Sequence, residues 1–397
     1  MDLLQTVEKM IKLSDLLSSE WMTVRKLISA FIFFFLLTTG CKEPYTPPVN
    51  PSSVNYLVVD GFINSGAGPT TIKLSRTRSL SSTDSMPELN AHVTILDDLS
   101  QVYQLTEVGN GIYMLNQLNA DYQRQYQLDI ITSDGKEYRS DPVIPKQTPQ
   151  IDSVHWEADN FGAHIYVNTH DPQNNSRYYR WSYEETWERK AAVNSGVIYD
   201  SGQVVLRPPS QQIFECWPTD TSTNILIGTS QNLSQDVIYR QPITTVSIGT
   251  EQISVLYSIN IYQYVISEEA FNYWQLMKKN TEQLGSLFDV QPSQTAGNIH
   301  CLSNPAEPVV GYISVSSVTQ QRIFINNSDL PYWGYIFPYE CDSTITVAPD
   351  KISQVFQDSV LWIPVTININ GSVVGAPPEC ADCRYGGFSN QKPSFWP

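Results

Sequence analysis

Apolar and polar residues alternate in short runs after Tyr56, and turn-forming residues separate these runs. This pattern is typical of β-strands that place one face in a core. It is clearest in YQLDIIT (126–132), where Tyr126, Leu128 and Ile130 alternate with polar neighbours. The other runs that we predict as strands here are YLVVDGFI (56–63), TTIKLS (70–75), AHVTILD (91–97), VYQLTE (102–107) and GIYML (111–115).

The turns between these runs favour antiparallel pairing. Asn110-Gly111 and Asp134-Gly135 tolerate the positive φ angles that tight hairpin turns require. We therefore predict a small antiparallel β-sandwich over residues 54–145. The polar segment SRTRSLSSTDSMPE (75–88) is a long loop within it, and loops of this length are often functional.

A second β-rich region follows the linker PVIPKQTPQ (142–150), which its prolines mark as a boundary. We predict that residues 150–397 form a larger β domain. The fold class is thus mainly β, with two β-sandwich-like (immunoglobulin-like) domains, the second carrying one packed α-helix. Its predicted strands are IDSVHWE (151–157), AHIYVN (163–168), YYRWSYEETWE (178–188), ISVLYSINIYQYVI (253–266), VVGYISVS (309–316), RIFIN (322–326) and WIPVTINI (362–369).

An aromatic row lies on one face of the strand predicted over 178–188: Tyr179, Trp181, Tyr183 and Trp187. Such a row forms either a sandwich core or a platform that stacks on carbohydrate. We favour the core, because aromatic side chains contribute most of the buried area in many cores.

The predicted helix spans residues 267–284. Ser267 is a suitable N-cap, Glu268 and Glu269 place negative charge in the first turn, and Gly285 follows the end. Residues spaced by four and three positions share one helix face and are expected to pack against the sheet. They are Ala270, Trp274, Met277, Thr281 and Leu284.

The N-terminal region has the order of a secretory signal. The apolar run from Leu27 to Leu37 is too short for a membrane-spanning helix, which needs about 20 residues. Basic residues precede it, and small residues lead directly to Cys41, as in a bacterial lipobox. We predict that residues 1–21 are upstream sequence translated in error, that the true start is Met22, that residues 22–40 form a signal peptide, and that Cys41 is lipidated. The proline-rich segment 41–53 is then a tether.

Composition excludes one class of partner. The formal net charge is −16, and no cluster of Lys and Arg follows Cys41. Nucleic-acid binding depends on a basic surface that releases counterions from phosphates. We therefore expect no nucleic-acid partner.

Besides Cys41 the chain has five cysteines, and disulfides are the default in an exported protein. We predict that Cys216 pairs with Cys301 and that Cys341 pairs with Cys380 or Cys383. The spacing CADC (380–383) also occurs in zinc and redox sites. A zinc ribbon needs a second such pair and a redox site needs a following helix, so disulfides are favoured.

No familiar catalytic motif is present. The sequence contains no G-x-S-x-G, no H-E-x-x-H, no glycine-rich phosphate loop and no dinucleotide fingerprint. The oxygen-rich segment HDPQNNS (170–176) suits either calcium or an ordinary polar turn, and we favour the turn. We expect no catalytic residues, no metal and no cofactor, and the sequence identifies no ligand-binding residue.

Several segments together resemble the domain of unknown function 4249 (DUF4249) family. They are LVVDGFI (57–63), YYRWSYEETWE (178–188), the helical segment 267–293, GNIHC (297–301), VVGYISVSSV (309–318) and PPECADCRYGGFSNQKPSFWP (377–397). The resemblance implies an outer-membrane lipoprotein of Bacteroidota that is encoded beside a TonB-dependent transporter. The family has no established catalytic residues, so only Cys41 takes over a stated role, that of lipid acceptor.

These observations lead to a functional hypothesis. We expect a non-catalytic lipoprotein of the outer membrane, on the cell surface or the periplasmic face, that assists a TonB-dependent barrel in nutrient uptake by binding substrate or by docking. An alternative is a structural or adhesive surface protein. A hydrolase on a β scaffold is a third hypothesis, which would require carboxylates that converge in a deep pocket.

Overall fold

The computed structural model describes residues 55–77, 86–282, 297–331, 333–335, 337, 339, 341–357 and 360–397. The predicted upstream segment 1–21, the signal peptide 22–40, Cys41 and the tether lie outside these residues. Most of the long loop 75–88 and the end of the predicted helix also lie outside them.

Strands make up most of the regular structure. Before the linker they are β1 (Leu57–Asn64), β2 (Thr70–Arg76), β3 (Met86–Pro87), β4 (His92–Asp97), β5 (Val102–Gln104), β6 (Thr106–Gly109), β7 (Ile112–Leu115), β8 (Tyr126–Ile131) and β9 (Glu137–Ser140). The next set is β10 (Ile151–Ala158), β11 (Gly162–Asp171), β12 (Tyr178–Trp187), β13 (Arg189–Lys190), β14 (Val197–Asp200), β15 (Gln203–Leu206), β16 (Glu215–Cys216), β17 (Thr219–Thr221), β18 (Leu226–Thr229), β19 (Asp236–Ser247) and β20 (Leu256–Val265).

A helix and a last group of strands complete the chain. The remaining elements are α1 (Glu268–Glu282), β21 (Ile299–Cys301), β22 (Val315–Ser316), β23 (Thr319–Asn326), β24 (Ile345–Val347), α2 (Ile352–Phe356), β25 (Ile363–Ile367), β26 (Val373–Ala376) and α3 (Pro378–Ala381). Short 3-10 turns occur at Pro209–Gln211, Glu251–Ile253, Asn327–Asp329 and Pro349–Lys351.

The first sandwich packs two sheets face to face. One sheet has the order β22-β1-β2-β7-β6, with β3 beside β2, and the other has the order β21-β9-β8-β4-β5. The alternation predicted for β8 is confirmed, because Tyr126, Leu128 and Ile130 are buried between the sheets. The hairpin prediction is confirmed too: Asn110 and Gly111 both have positive φ between β6 and β7. A Cβ at Gly111 would also collide with the carbonyl oxygen of Leu74.

The second sandwich also consists of two sheets packed face to face, and its strands are longer. The sheet β10-β11-β19 packs against the sheet β17-β12-β20-β23, in which β18 also pairs with β12. Tyr179, Trp181 and Trp187 of β12 lie in its core, and Tyr183 packs against it. The core interpretation of the aromatic row is therefore confirmed, and these buried rings do not form an open platform.

The C-terminal half also contributes to the first sandwich. β21 pairs with β9, and β22 runs parallel to β1, so each extends one of the two sheets. Residues 54–397 accordingly cluster as one compact unit. The predicted domain boundaries, 54–145 and 150–397, assigned β21 and β22 to the second domain, whereas both strands belong to the first sandwich.

Helix α1 packs on the second sandwich through the first part of the predicted face and through additional residues beside it. Ala270 is buried as expected and Trp274 is half-buried, but Phe271 and Tyr273 are buried while Thr281 is exposed. The buried positions cluster at the start of the helix, where Phe271 packs on Tyr178 and Tyr273 packs on Tyr312. The apolar burial is thus concentrated in the first turns, while the last turns are held by polar contacts: Lys278 Nζ donates to the Ile225 carbonyl oxygen (2.9 Å), and the Ile225 N–H donates to Glu282 Oε1 (2.6 Å).

Candidate functional site

The linker between the two sandwiches is fixed by buried hydrogen bonds. Thr148 is buried, its N–H donates to Ser317 Oγ (2.9 Å), and its hydroxyl lies 2.9 Å from Ser316 Oγ. The N–H of Val265 in β20 donates to Thr148 Oγ1 (3.1 Å). The linker is thus bonded to both sandwiches at one residue.

Gln263 connects the same linker to the core of the second sandwich. Its side chain is fully buried, and Oε1 accepts a hydrogen bond from Trp181 Nε1 (2.9 Å). Nε2 donates to the carbonyl oxygen of Pro149 (3.0 Å) and to Thr169 Oγ1 (3.0 Å). A buried amide with both its acceptor and its donor satisfied fixes the position of its partners. The path of the linker is therefore set by the core.

This fixed linker forms one wall of an open cleft of about 570 Å³, which we call the junction cleft. Tyr122 of the first sandwich and the turn 170–176 of the second line its other sides. The volume lies within the range of about 300–1,000 Å³ that is typical of small-ligand sites. Its polar lining includes Lys146, Gln147, Gln150, Asp152, His170, Gln173 and Asn175.

One ion pair lines the junction cleft. His170 Nδ1 lies 2.8 Å from both carboxylate oxygens of Asp152. The hydrogen bond to Asp152 and its negative charge raise the pKa of His170 above the ordinary 6.5. The pair therefore favours a protonated, positively charged His170 beside a carboxylate that already has a partner.

The turn 170–176 is organised by Asp171. Its carboxylate accepts hydrogen bonds from the N–H groups of Gln173 and Asn175 (both 2.9 Å) and from Ser176 Oγ (2.8 Å). These bonds keep the pKa of Asp171 below its ordinary value although burial alone would raise it. The polar-turn interpretation is confirmed. Within the described residues no group of three or more His, Cys, Asp or Glu side chains is placed to hold a metal ion.

Charged and aromatic side chains continue from the cleft along the outer face of β10, β11 and β19. Tyr166 stacks on His155, with ring centroids 5.5 Å apart, and the guanidinium of Arg240 lies 4.6 Å from the Tyr166 ring centroid. Arg240 also forms a two-pronged ion pair with Glu157. We call these four residues the outer band. Since their groups are paired with one another, the outer band offers fewer free polar groups than the junction cleft.

A second polar cluster lies at the base of the loop 78–85. Arg76 Nε and Glu88 Oε2, which flank the loop, are 2.6 Å apart in a largely buried ion pair. Tyr138 Oη donates to Glu307 Oε1 (2.7 Å), and Lys136 Nζ donates to Glu307 Oε2 (2.7 Å). Hydrogen bonds with Glu88 and Tyr138 raise the pKa of Arg76, although burial alone would lower it. This cluster fixes both ends of the loop.

The neighbouring acids Glu184 and Glu185 do not form a catalytic pair. Glu184 Oε1 lies 3.2 Å from Arg322 Nη2, whereas Glu185 accepts a hydrogen bond from Tyr257 Oη (2.6 Å). Burial raises the pKa of Glu185. Each carboxylate therefore has its own partner. Successive residues of a strand point to opposite faces of the sheet, so the two carboxylates point away from each other. In the junction cleft, Asp152 and Asp171 are likewise engaged by other groups.

The cysteine prediction was half right. Cys341 pairs with Cys380, one of the two predicted options, but Cys216 pairs with Cys383 and not with Cys301. Cys301 is a buried free thiol. Its strand β21 belongs to the first sandwich, whereas Cys216 packs with Cys383 near the C-terminus. The two cysteines of CADC therefore serve separate disulfides, which leaves no zinc or redox pair.

Sequence analysis did not identify the junction cleft. The linker was visible as a boundary, but Tyr122 and the turn 170–176 approach it only through the tertiary fold. The available signal was the polar content of the linker itself, in which Lys146, Gln147 and Gln150 lie between prolines. Cys41, the predicted lipid acceptor, lies outside the described residues.

Comparisons with known proteins give a family but no function. The sequence model of a family described as "Domain of unknown function (DUF4249)" matches residues 42–322. No curated protein matches the chain. A solved two-domain fibronectin type III segment of chicken tenascin is similar over 53% of this chain and 90% of that chain, with 14% identity and a TM-score of 0.15. Such a low TM-score carries no argument.

Proposed function

This chain belongs to the DUF4249 family of unknown function. We propose that it is a non-catalytic binding protein that serves a TonB-dependent transporter in nutrient uptake; the transporter partner is what the family resemblance implies, and the binding role is argued from the chain's own residues. In this proposal Cys41 carries the lipid that anchors the protein to the outer membrane, and the segment 41–53 holds the folded part away from the lipid surface.

The junction cleft is the observation that carries the proposal. It is open, of ligand size, and lined by polar side chains that reach it from both sandwiches. Its two carboxylates are engaged by His170 and by the turn of Asp171, which suits binding better than acid–base chemistry.

The disulfides support an extracytoplasmic location. Cys216–Cys383 and Cys341–Cys380 both require an oxidising compartment, such as the periplasm or the cell surface. None of the helices in the described part of the chain has the length and apolar character needed to cross a bilayer. A lipid at Cys41 would supply the membrane attachment in this proposal.

Affinity purification tests the proposal directly. The full-length protein, tagged at its C-terminus, is isolated from native outer membranes in mild detergent, and its partners are identified by mass spectrometry. We expect a TonB-dependent barrel in near-equal amount. A Cys41→Ser variant is the control for membrane attachment and should be lost from the membrane fraction. Recovery of the protein alone, or with matrix components, would contradict the uptake role, and the second outcome would favour adhesion.

A further inference from the structure

Most of the charged side chains in the junction cleft already have partners within the protein. Asp152 faces His170, and both oxygens of Asp171 accept hydrogen bonds from its own turn. Lys146 is half-buried in the lining and forms no ion pair with any described residue, so it contributes one positive charge to the cleft. With a net charge of −16 on the whole chain, an anion is nevertheless repelled at long range.

Free side-chain amides are the main polar groups that remain. Gln147, Gln150, Gln173 and Asn175 line the cleft and are exposed, and their side-chain amides have no hydrogen-bond partner among the described residues. Each amide presents an acceptor oxygen and a donor NH₂ group. A ligand that matches them must itself both accept and donate, as hydroxyl groups do. Carboxylates and phosphates only accept, and ammonium groups only donate.

The apolar part of the lining is flat and small. Tyr122 is 40% exposed, and Pro172, which also lines the cleft, is exposed. The aromatic ring of Tyr122 can stack on the C–H face of a sugar. Val265 also lines the cleft but is buried, so no deep apolar pocket is present for the side chains of a peptide.

We propose that the junction cleft binds a short, neutral oligosaccharide, with its hydroxyls on the amides of Gln150 and Gln173 and a sugar face on Tyr122. This inference rests on the proposed binding function and names its ligand class. The cleft volume of about 570 Å³ accommodates a few sugar units and not a polymer in full.

Calorimetric titration of the full-length protein in detergent tests the inference. The probes are cellohexaose, maltohexaose, xylohexaose and mannohexaose, with hexagalacturonate and a blocked neutral hexapeptide for comparison. The test variant is Gln150→Ala/Gln173→Ala, and the matched control is Gln203→Ala/Gln357→Ala, two exposed glutamines outside the cleft. The loss of two hydrogen bonds to the ligand predicts roughly 30-fold weaker binding in the test variant only.

The outcomes separate this inference from the proposed function. Binding of one neutral hexasaccharide that the test variant weakens and the control retains supports the inference, whether or not a barrel co-purifies. A barrel that co-purifies while none of the four hexasaccharides binds overturns the saccharide assignment and leaves the uptake role intact. Binding that both variants retain places the ligand elsewhere and overturns it, as does preference for hexagalacturonate or the peptide. Thermal melts of all variants should match the wild type, because the four glutamines are exposed.

Discussion

Gln263 gives the sharpest test of how the junction is held together. The substitution Gln263→Leu keeps a side chain of similar size in β20 but removes all three hydrogen bonds of the amide. Trp181 Nε1 then becomes a buried donor without its partner. The Pro149 carbonyl keeps a bond from Thr319 Oγ1 (3.0 Å), and Thr169 Oγ1 keeps its bond to the Gln150 carbonyl (3.0 Å).

The expected loss of stability can be worked out from the groups that lose their hydrogen bonds. An orphaned buried donor costs about 1–3 kcal/mol, and each lost bond whose partner keeps another contact costs about 0.5–1.5 kcal/mol. The added apolar burial of leucine offsets part of this, by up to about 1 kcal/mol. We expect the free energy of unfolding to fall by about 2–4 kcal/mol in total.

Denaturant unfolding of the oxidised protein, followed by fluorescence and by circular dichroism, measures this loss. Gln203→Leu is the matched control, since Gln203 is exposed on β15 and the same change should stay within about 0.5 kcal/mol. A double-mutant cycle with Trp181→Phe isolates the indole bond, because Gln263→Leu orphans no indole in that background. The reasoning is refuted if the two buried changes are additive, or if Gln263→Leu costs no more than its control.

Three further predictions rest on the disulfides and on charged groups. In the chain-entropy model, replacing both cysteines of Cys216–Cys383 by serine should lower the free energy of unfolding by about 5 kcal/mol, and the same change at Cys341–Cys380 should lower it by about 4 kcal/mol. The difference follows from the sequence separations of 167 and 39. The opposite order in denaturant unfolding would contradict this prediction. The pKa of Glu307 lies below the ordinary 4.5, since bonds from Lys136 and Tyr138 outweigh the burial that alone would raise it. The stabilisation that Glu307 provides is therefore present above about pH 4.5 and is lost as the pH falls through the lowered pKa. Glu307→Gln should destabilise the protein at pH 7 and make its stability depend less on pH in the acid range. An unchanged slope of stability against pH would refute this. NMR titration should place the pKa of His170 above 6.5, and Asp152→Asn should bring it down; a His170 pKa that does not change in this variant would contradict the assignment of its cause.

Local sequence patterns were sufficient to predict a strand where one face of the segment packs against the core. In β11 the inward residues Ala163, Ile165 and Val167 alternate with His164 and other outward side chains, so the strand and its orientation can be read from the sequence. The predicted hairpin at Asn110-Gly111 was equally local. Its two residues determine the turn by their own backbone freedom.

Pairings between distant segments could not be predicted in this way. β22 joins β1 across more than half of the described chain, and nothing in its two residues specifies a parallel partner. The same limit explains the misassigned disulfide. Which sandwich holds Cys301 depends on the pairing of β21 with β9, and that pairing places the thiol in a core away from Cys216.

The return of the chain also determines what kind of site the junction can be. The linker and the segment after β22 run side by side: Lys146 N–H donates to the Val315 carbonyl (2.9 Å), and Ser317 N–H donates to the Lys146 carbonyl (3.0 Å). A hinge requires a few backbone torsions that change freely, and two adjacent parallel segments bonded to each other at Thr148 and Lys146 do not provide them. The walls of the junction cleft are therefore fixed before a ligand arrives. For the saccharide that we propose as its ligand, fixed walls mean that little binding free energy would be spent on closing motions.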